Sequence, residues 1–322
     1  MSIITFTPPS QQIPVVAITE ALAQWVARLQ RRGKSERTIK AYSCDVIRAA
    51  RVFARHDAHI TAVVSAREVE AFLDELHAVG ISPRSQARAL VALRQFFAFC
   101  LQQRWCSGNP CDDIAVKFRP KLVEAPELDV LMRVIKAIPH TRKPTDLRDR
   151  AILRLALDAG LRAGGLIDLN VPADREPYTV DLNALTVTTR NKGGAHTDPI
   201  AINRTTVDAI AAWLAVRDQV AGEGECALFV GARGERICRQ SLNWIARKRG
   251  RLAGVDGLHI HLFRHRRIGD LVERVGLKMA QQHAQHASGV TTAAVYGRHA
   301  GNVTRKMIRQ HADIDAMVGE AA

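Results

Sequence analysis

The sequence predicts a mainly α protein of two domains, in which the second domain combines helices with one small antiparallel sheet. The chain has 322 residues, and at roughly 100–200 residues per domain this length suggests two domains. Apolar residues recur at helical spacing through most of the chain, whereas only one segment alternates as a β-strand does. Hydrophobic residues make up 47% of the sequence, which is enough for globular cores and excludes disordered and fibrous proteins.

The first domain is predicted at residues 18–106 as four helices without a strand. Residues 1–17 hold three prolines and show no apolar period, so we expect a flexible arm there. The helices begin at an apolar stripe or behind a residue type that caps helix N-termini, at Ile18, Ser35, Ser65 and Ser82. Glu68 completes a capping box with Ser65, and Gly33 ends the first helix.

The composition of residues 107–122 is that of a linker, and it leads to a second domain at residues 123–322. The apolar pattern of this domain predicts six helices, at about 126–138, 145–159, 204–220, 239–252, 261–275 and 302–318. A β-hairpin is predicted between the second and the third of them. Residues 185–190 alternate, Gly193 and Gly194 supply a turn, and residues 199–202 return as the second strand.

The chain is strongly basic, because 46 Lys and Arg residues oppose 32 Asp and Glu residues and leave a formal net charge of +14. Nucleic acid is the first partner to expect for such a protein. Basic residues crowd the stretch 233–251, and further cations lie in the first domain and the linker, so we expect two lobes that hold double-stranded DNA by its phosphates. The candidate DNA contacts are Arg84, Arg88, Arg190, Arg239, Arg247 and Lys248.

The sequence shows neither a membrane span nor a secretory signal. No apolar run approaches the roughly 18–20 residues that cross a bilayer, and the first 27 residues contain no Lys or Arg. Six scattered cysteines do not resemble a disulfide scaffold, and Cys106 with Cys111 lacks the second pair that a zinc site needs. We therefore expect a protein of the reducing cytoplasm.

Four segments of the second domain offer residues suited to phosphate binding or proton transfer. They are Asp158-Ala-Gly-Leu-Arg162, Arg190-Asn-Lys192-Gly-Gly, His261-Leu-Phe-Arg264-His265 and the stretch from His286 to Tyr296. Each segment alone is a weak signal, since an arginine after a helix usually caps or pairs and a hairpin lysine is usually solvated. Their order and spacing together are hard to obtain by accident.

In these segments the sequence resembles the tyrosine recombinase (phage integrase) family, and its residues 33–42 resemble the core-binding domain of that family. The resemblance implies that residues 18–106 are this core-binding domain and residues 123–322 the catalytic domain. It implies the catalytic residues Arg162, Lys192, His261, Arg264, His286 and Tyr296. It also implies a homotetramer on two double-stranded DNA sites, with no cofactor, in the nucleoid of a bacterial cell. An accessory DNA-binding protein remains an open partner.

The roles that the resemblance implies agree with the chemistry of a phosphodiester. Arg162 and Arg264 would bind the non-bridging oxygens, on which charge develops during displacement. Tyr296 would attack the phosphorus and conserve the bond energy as a phosphotyrosine. Lys192 would protonate the leaving 5′-oxygen and His261 would act as acid and base, so that no metal is required.

Two departures from the family pattern bear on these roles. Gly165 stands where the family usually has an acidic residue, and Asp168 is out of register with that position. His286, which would be an additional phosphate ligand, precedes Tyr296 by one residue more than the family spacing. One extra residue within a helix would rotate the tyrosine by about 100° about the helix axis. We therefore expect the extra residue to lie in a loop at 288–289. His283 fits the spacing worse.

The nucleophile can also be approached by elimination, because the chain has only three tyrosines. Tyr42 lies on the apolar stripe of the second helix, where we expect it to pack in the core. Tyr178 lies in the approach to the hairpin, far from the His and Arg segments in sequence. Tyr296 remains and matches the family position.

Three interpretations of function follow. The first is a site-specific recombinase that exchanges strands through a Holliday junction, encoded by a mobile element as an integrase or a cointegrate or dimer resolvase. The second is a type IB topoisomerase that relaxes DNA with the same residue types. The third, suggested by Gly165 and by the shifted tyrosine, is a DNA-binding protein with impaired catalysis.

The terminal helix at 302–318 packs on its own domain or, as the resemblance implies, docks into a neighbouring subunit.

Overall fold

In the computed structural model, the described residues are 13–56, 58, 61–117, 124–172, 178–189 and 198–284. The chain divides into two units, residues 1–121 and 122–322. The predicted hairpin turn and the predicted helix at 302–318 lie outside the described residues, as does most of the predicted N-terminal arm.

Four helices form the first unit, as the sequence predicts: α1 (Ile18–Arg31), α2 (Glu36–Arg55), α3 (Ala66–Ala78) and α4 (Pro83–Gln102). A single 3₁₀ turn at Thr61–Val63 precedes α3. Ser35 accepts a hydrogen bond from the Thr38 backbone at the start of α2, and Ser65 forms the expected capping box with Glu68. The helix starts are therefore set by local capping, in agreement with the sequence.

An aromatic core holds the first unit together. The rings of Phe96 and Phe97 contact each other edge to face at 5.1 Å, and Trp25 meets Phe96 at 5.6 Å. The first part of the predicted linker belongs to this core, since Cys111 and Ile114 are buried in it. Arg94 on α4 donates to the carbonyls of both residues, at 3.0 and 2.7 Å. Residues 107–117 are thus packed onto the first unit.

The second unit is mostly helical with one small sheet. Its elements are α5 (Leu128–Lys136), α6 (Pro144–Asp158), α7 (Ala163–Asp168), β1 (Val180–Asp181), β2 (Thr186–Val187), β3 (Ile200–Ala201), α8 (Arg204–Arg217), α9 (Arg239–Leu252), α10 (Ile260–Val275) and α11 (Leu277–Ala284). The sheet is antiparallel in the order β1-β2-β3, with Val187 opposite both Val180 and Ile200. The predicted mainly helical fold class and the pairing of the two hairpin strands are confirmed, whereas β1, α7 and α11 were not predicted.

Packing between helices forms the core of the second unit. Trp213 on α8 is fully buried, and its indole N–H donates to the Leu228 carbonyl at 2.8 Å. Phe263, also fully buried, anchors α10 in the same core. A smaller cluster of Ile268, Val272 and Ala280 packs α11 against α10. None of the described helices is long and apolar enough to cross a bilayer.

Candidate active site

The turn between α6 and α7 meets the first turns of α10, and this corner holds two predicted phosphate ligands. Gly160 ends α6 at φ +62°, in the left-handed region that glycine adopts without strain. Arg264 on α10 is 5% exposed, and its Nη1 donates to the Gly160 carbonyl over 2.6 Å. Arg162 follows two residues after Gly160. The fold therefore joins two arginines that are far apart in sequence at one turn.

Arg162 is the more open of the two. It caps α7 with an extended backbone, and much of the residue is exposed. Its side chain makes no hydrogen bond or ion pair with any residue that the structure describes. Partial burial of the guanidinium lowers the pKa of Arg162, but an arginine remains charged at physiological pH. The charged and partly desolvated guanidinium of Arg162 can donate hydrogen bonds to the oxygens of a phosphate.

His261 lies one turn before Arg264 on α10, and its ring meets that of His265 edge to face at 4.5 Å. Although part of the residue is exposed, burial of the ring lowers the pKa of His261 to about 4, and His265 and Arg264 add to this effect by charge repulsion. The imidazole is therefore neutral near pH 7 in the free protein. A neutral imidazole beside two arginines can accept a proton or hydrogen-bond to a substrate oxygen.

His283 on α11, which fits the family spacing worse than His286, also reaches this corner. Its Nε2 lies 3.1 Å from the Ala159 carbonyl oxygen, one residue before the carbonyl that Arg264 binds. A Cβ at Gly160 would lie 3.2 Å from the Arg267 side chain, which would have to shift slightly, and 3.8 Å from His283 Nε2, an ordinary contact distance. Both α10 and α11 therefore contact the turn that leads to Arg162. The contact from α11 could not be predicted from the spacing of residues in the sequence.

Gly165, the departure from the family pattern, is buried on α7. A Cβ at this position would meet the side chain of Thr189 at 3.6 Å, which is an ordinary packing distance. Thr189 is the last described residue before the predicted turn that carries Arg190 and Lys192. The position of the missing acidic residue therefore faces the base of the segment that leads to the predicted general acid.

Arg190, Lys192, His286 and Tyr296 lie outside the described residues, and their roles remain predictions. The other two tyrosines can be located. Tyr42 stacks on Trp25 with ring centroids 6.1 Å apart, as expected for a core residue of the first unit. Tyr178 is partly buried before β1, and its carbonyl accepts a hydrogen bond from the Asn170 backbone.

Two predicted DNA contacts of the first unit differ in their surroundings. Arg84 is exposed near the start of α4. Arg88, one turn later, forms two hydrogen bonds of 3.0 and 2.9 Å with the buried Asp45 of α2. The Asp45 carboxylate raises the pKa of Arg88. The guanidinium of Arg88 therefore joins α4 to α2, and its availability to a phosphate is reduced.

The basic stretch 233–251 also separates into two groups. Arg239, Arg247 and Lys248 are exposed on α9 and form no ion pair within the described part of the chain. Arg249 of the same helix is buried and pairs with Asp146 and Asp149 at 2.6 and 2.7 Å. Arg236, just before α9, donates to the carbonyls of residues 167 and 169. Neither Arg249 nor Arg236 is among the predicted DNA contacts, and acceptors within the fold use the donors of both.

Comparison with known proteins gives matches over both units. The model of the phage integrase family matches residues 122–302, and that of the phage integrase N-terminal SAM-like domain matches residues 22–104. Tyrosine recombinase XerC of Ralstonia pickettii is 30% identical over 277 residues, which are 81% of this chain and 84% of the relative. Tyrosine recombinase XerC of Chromohalobacter salexigens is 32% identical over 270 residues, or 82% and 86% of the two chains.

Solved structures share the fold at low sequence identity. XerH site-specific recombinase bound to palindromic difH substrate, in a post-cleavage complex, has a TM-score of 0.69 at 15% identity, covering 93% of this chain and 85% of that one. A lambda integrase tetramer bound to a Holliday junction has a TM-score of 0.63 at 15% identity, covering 89% and 80%.

Proposed function

Since this chain belongs to the phage integrase family of tyrosine recombinases, we propose that it cleaves and rejoins DNA at specific paired sites through a 3′-phosphotyrosine intermediate. Site-specific recombination follows from the family, and the covalent route is our proposal for this chain. The observation that supports it is the corner at which Arg162, His261 and Arg264 converge.

The first step is binding of the scissile phosphate. The guanidinium of Arg162 binds one non-bridging oxygen of the phosphate. Arg264 is held beside Arg162 by its hydrogen bond to the Gly160 carbonyl. Displacement at phosphorus increases the charge on these oxygens, so fixed cations stabilise the transition state more than the ground state. The phosphate in turn favours the protonated form of His261, which is neutral without it. His261 is therefore suited to exchange a proton during the reaction.

Attack and departure complete the cleavage. The hydroxyl oxygen of Tyr296 forms the bond to phosphorus and loses its proton to a base, for which His261 is our candidate. The bond to the 5′-oxygen breaks, and Lys192 supplies the proton that this oxygen needs. Rejoining reverses these steps with a 5′-hydroxyl as nucleophile, so the energy of the phosphodiester is kept in the phosphotyrosine and no ATP is consumed.

His286 is proposed as a further ligand of the phosphate. His283, the neighbouring alternative, has its Nε2 beside the Ala159 carbonyl, and this contact commits it to holding the turn. We propose that a loop at 288–289 would absorb the extra residue between His286 and Tyr296.

Assembly is proposed as four subunits on two DNA sites, with strand exchange through a Holliday junction. A structural neighbour is a lambda integrase tetramer on such a junction. The terminal helix at 302–318 would dock into an adjacent subunit and so couple neighbouring active sites. We propose a mobile-element origin, as integrase or resolvase, in the bacterial cytoplasm at the nucleoid. An accessory DNA-binding protein would assist pairing of the sites.

One experiment separates this function from relaxation of DNA by a type IB topoisomerase. Plasmids that carry one or two copies of a site selected by the protein are incubated with it, and the products are resolved on gels. Recombination that depends on two sites supports the proposal. Relaxation of any supercoiled plasmid would favour the topoisomerase, and binding without cleavage would favour an impaired enzyme.

A further inference from the structure

The tryptophans of this chain are not equivalent. Trp25 and Trp213 are buried in the two cores, at 2% and 0% exposure, and Trp105 is half-buried. Trp244, in the middle of α9, is 55% exposed. A single exposed apolar residue is ordinary, but tryptophan is the largest side chain and is usually placed where a partner covers it.

The surroundings of Trp244 indicate which partner that is. The polar solvent-facing residues of α9 on either side of it are Arg239, Gln240, Arg247, Lys248 and Arg251, and Leu252 is exposed at the end of the helix. The helix contains no Asp or Glu at all. The Lys248 ammonium lies 4.8 Å from the centre of the Trp244 ring, a cation–π contact that leaves the rest of the indole open. An apolar ring among cations that form no ion pair with any described residue is complementary to a polyanion that also has apolar groups.

The opposite face of α9 fixes its rotation. Leu242, Ile245 and Ala246 are buried in the core, and Arg249 is anchored to Asp146 and Asp149 of α6. Turning Trp244 toward the core would expose these residues and break a buried ion pair. The ring is therefore held outward in the free protein, before any partner binds.

We propose that Trp244 is a specificity-determining residue that reads a thymine through its C5 methyl group when α9 lies in the major groove of the recombination site. The inference rests on the proposed function. An α-helix fits the major groove, where thymine alone among the bases presents a methyl group to an apolar side chain. A flanking cation that contacts a phosphate carries no sequence information, and one that reaches a base edge in the groove recognises guanine. Trp244 therefore supplies a preference for thymine that these cations do not.

The test starts from a DNA site selected by the wild-type protein out of a randomised duplex library. Half-sites are then synthesised in which each thymine in turn is replaced by deoxyuridine, which lacks only the methyl group. At one thymine we expect the affinity of the wild-type protein to fall about fourfold, the scale of one buried methyl group. Trp244→Ala should bind the unmodified half-site about fourfold more weakly and should not respond to deoxyuridine at that position.

Leu252→Ala is the matched control, because Leu252 is exposed at the end of the same helix. It should keep the wild-type response to deoxyuridine. The melting temperature of each variant shows that it folds, and Trp244→Phe should retain part of the thymine preference.

Three outcomes would overturn the inference. The wild-type protein and Trp244→Ala could respond equally to every deoxyuridine substitution, in which case the ring reads no methyl group. Trp244→Ala could bind one half-site normally but lose assembly on paired sites, in which case the ring contacts protein. If the wild-type protein selects no sequence at all, the proposed site-specific function fails and this inference fails with it.

Discussion

Arg162 and Arg249 belong to the same unit and carry the same charge, yet their surroundings are opposite. Arg249 is 5% exposed and pairs with the carboxylates of Asp146 and Asp149. Arg162 stands at a turn with no side-chain partner among the residues that the structure describes. A buried cation must be compensated by anions within the fold, whereas a cation that binds phosphate must keep its donors available. In this pair, a carboxylate partner marks the arginine that stabilises the fold, and the arginine without one is placed to meet the substrate.

The largest effect is expected at the compensated arginine. Arg249→Ala leaves the buried Asp146 without its arginine partner, whereas Asp149 keeps its ion pair with Arg148 at 2.9 Å. We expect a loss of about 3–5 kcal/mol in the free energy of unfolding. Urea denaturation measures this loss. Arg251→Ala, at an exposed position of the same helix, is the control and should stay within about 0.5 kcal/mol of wild type. An equally mild result for Arg249→Ala would contradict its structural role.

At Arg162, which has no carboxylate partner among the described residues, substitution should lower the rate of DNA cleavage and not the stability. Arg162→Ala is expected to lower the rate of DNA cleavage about 10²-fold or more, the scale of losing one preorganised charge contact in the transition state. Its unfolding free energy should remain close to that of wild type, since no described contact is removed. Single-turnover cleavage on a selected site gives the rate. A large loss of stability with an unchanged rate would reverse the assignment.

The carboxylate partners should make the stability of the second unit depend on pH. Although burial alone would raise it, hydrogen bonds from Thr141 and Arg249 lower the pKa of Asp146. The unfolded state then binds the proton more readily, so this contribution is present above about pH 4, the ordinary range of Asp, and is lost as the pH falls further. We expect Asp146→Asn to be less stable than wild type at pH 6 and the difference to shrink toward pH 3.

Asp208→Asn serves as the control for that measurement, because the Asp208 carboxylate pairs with Arg204 at the surface. Surface pairs contribute little to stability, so this variant should follow wild type across the range. If the difference in unfolding free energy between Asp146→Asn and wild type stays constant from pH 6 to about pH 3, the titration of Asp146 is excluded as its cause.

The smallest effects are expected from the exposed cations of α9. Arg247→Ala and Lys248→Ala should each reduce the slope of log affinity against log salt by about 1, and should weaken binding to all sequences alike. Arg88→Ala should change this slope less, because Asp45 already engages its guanidinium. Titrations at several salt concentrations measure the slopes. A full unit of slope lost at Arg88 would place it among the phosphate contacts.

Local features of the fold were predictable from the sequence, and short or context-dependent features were not. The periodicity of α9 gave its bounds, residues 239–252, and Ser65 with Glu68 gave the start of α3. The six-residue helix α7 and the two-residue strand β1 are too short to carry a periodic signal. The packing of Cys111 and Ile114 could not be predicted from the composition of residues 107–122, because these side chains contact a core that only the folded chain forms.

The candidate site was predictable in part. Arg162, His261 and Arg264 were found through motifs, and the fold explains their convergence by the bond from Arg264 to Gly160. The buried ion pairs of Arg249 were not predicted, because its carboxylate partners lie about 100 positions away on α6. Nor could it find the contact between His283 and the Ala159 carbonyl, which depends on the packing of α11.

Trapping of the covalent intermediate decides whether this site cleaves DNA as proposed. A selected half-site with a nick near the scissile phosphate releases a short fragment after attack and so prevents rejoining. Wild-type protein should become attached to this DNA, with the adduct mapped to Tyr296 by peptide analysis, and Tyr296→Phe should bind equally well without attachment. Attachment of Tyr296→Phe to the DNA would contradict the assignment and would direct the search to Tyr42 or Tyr178.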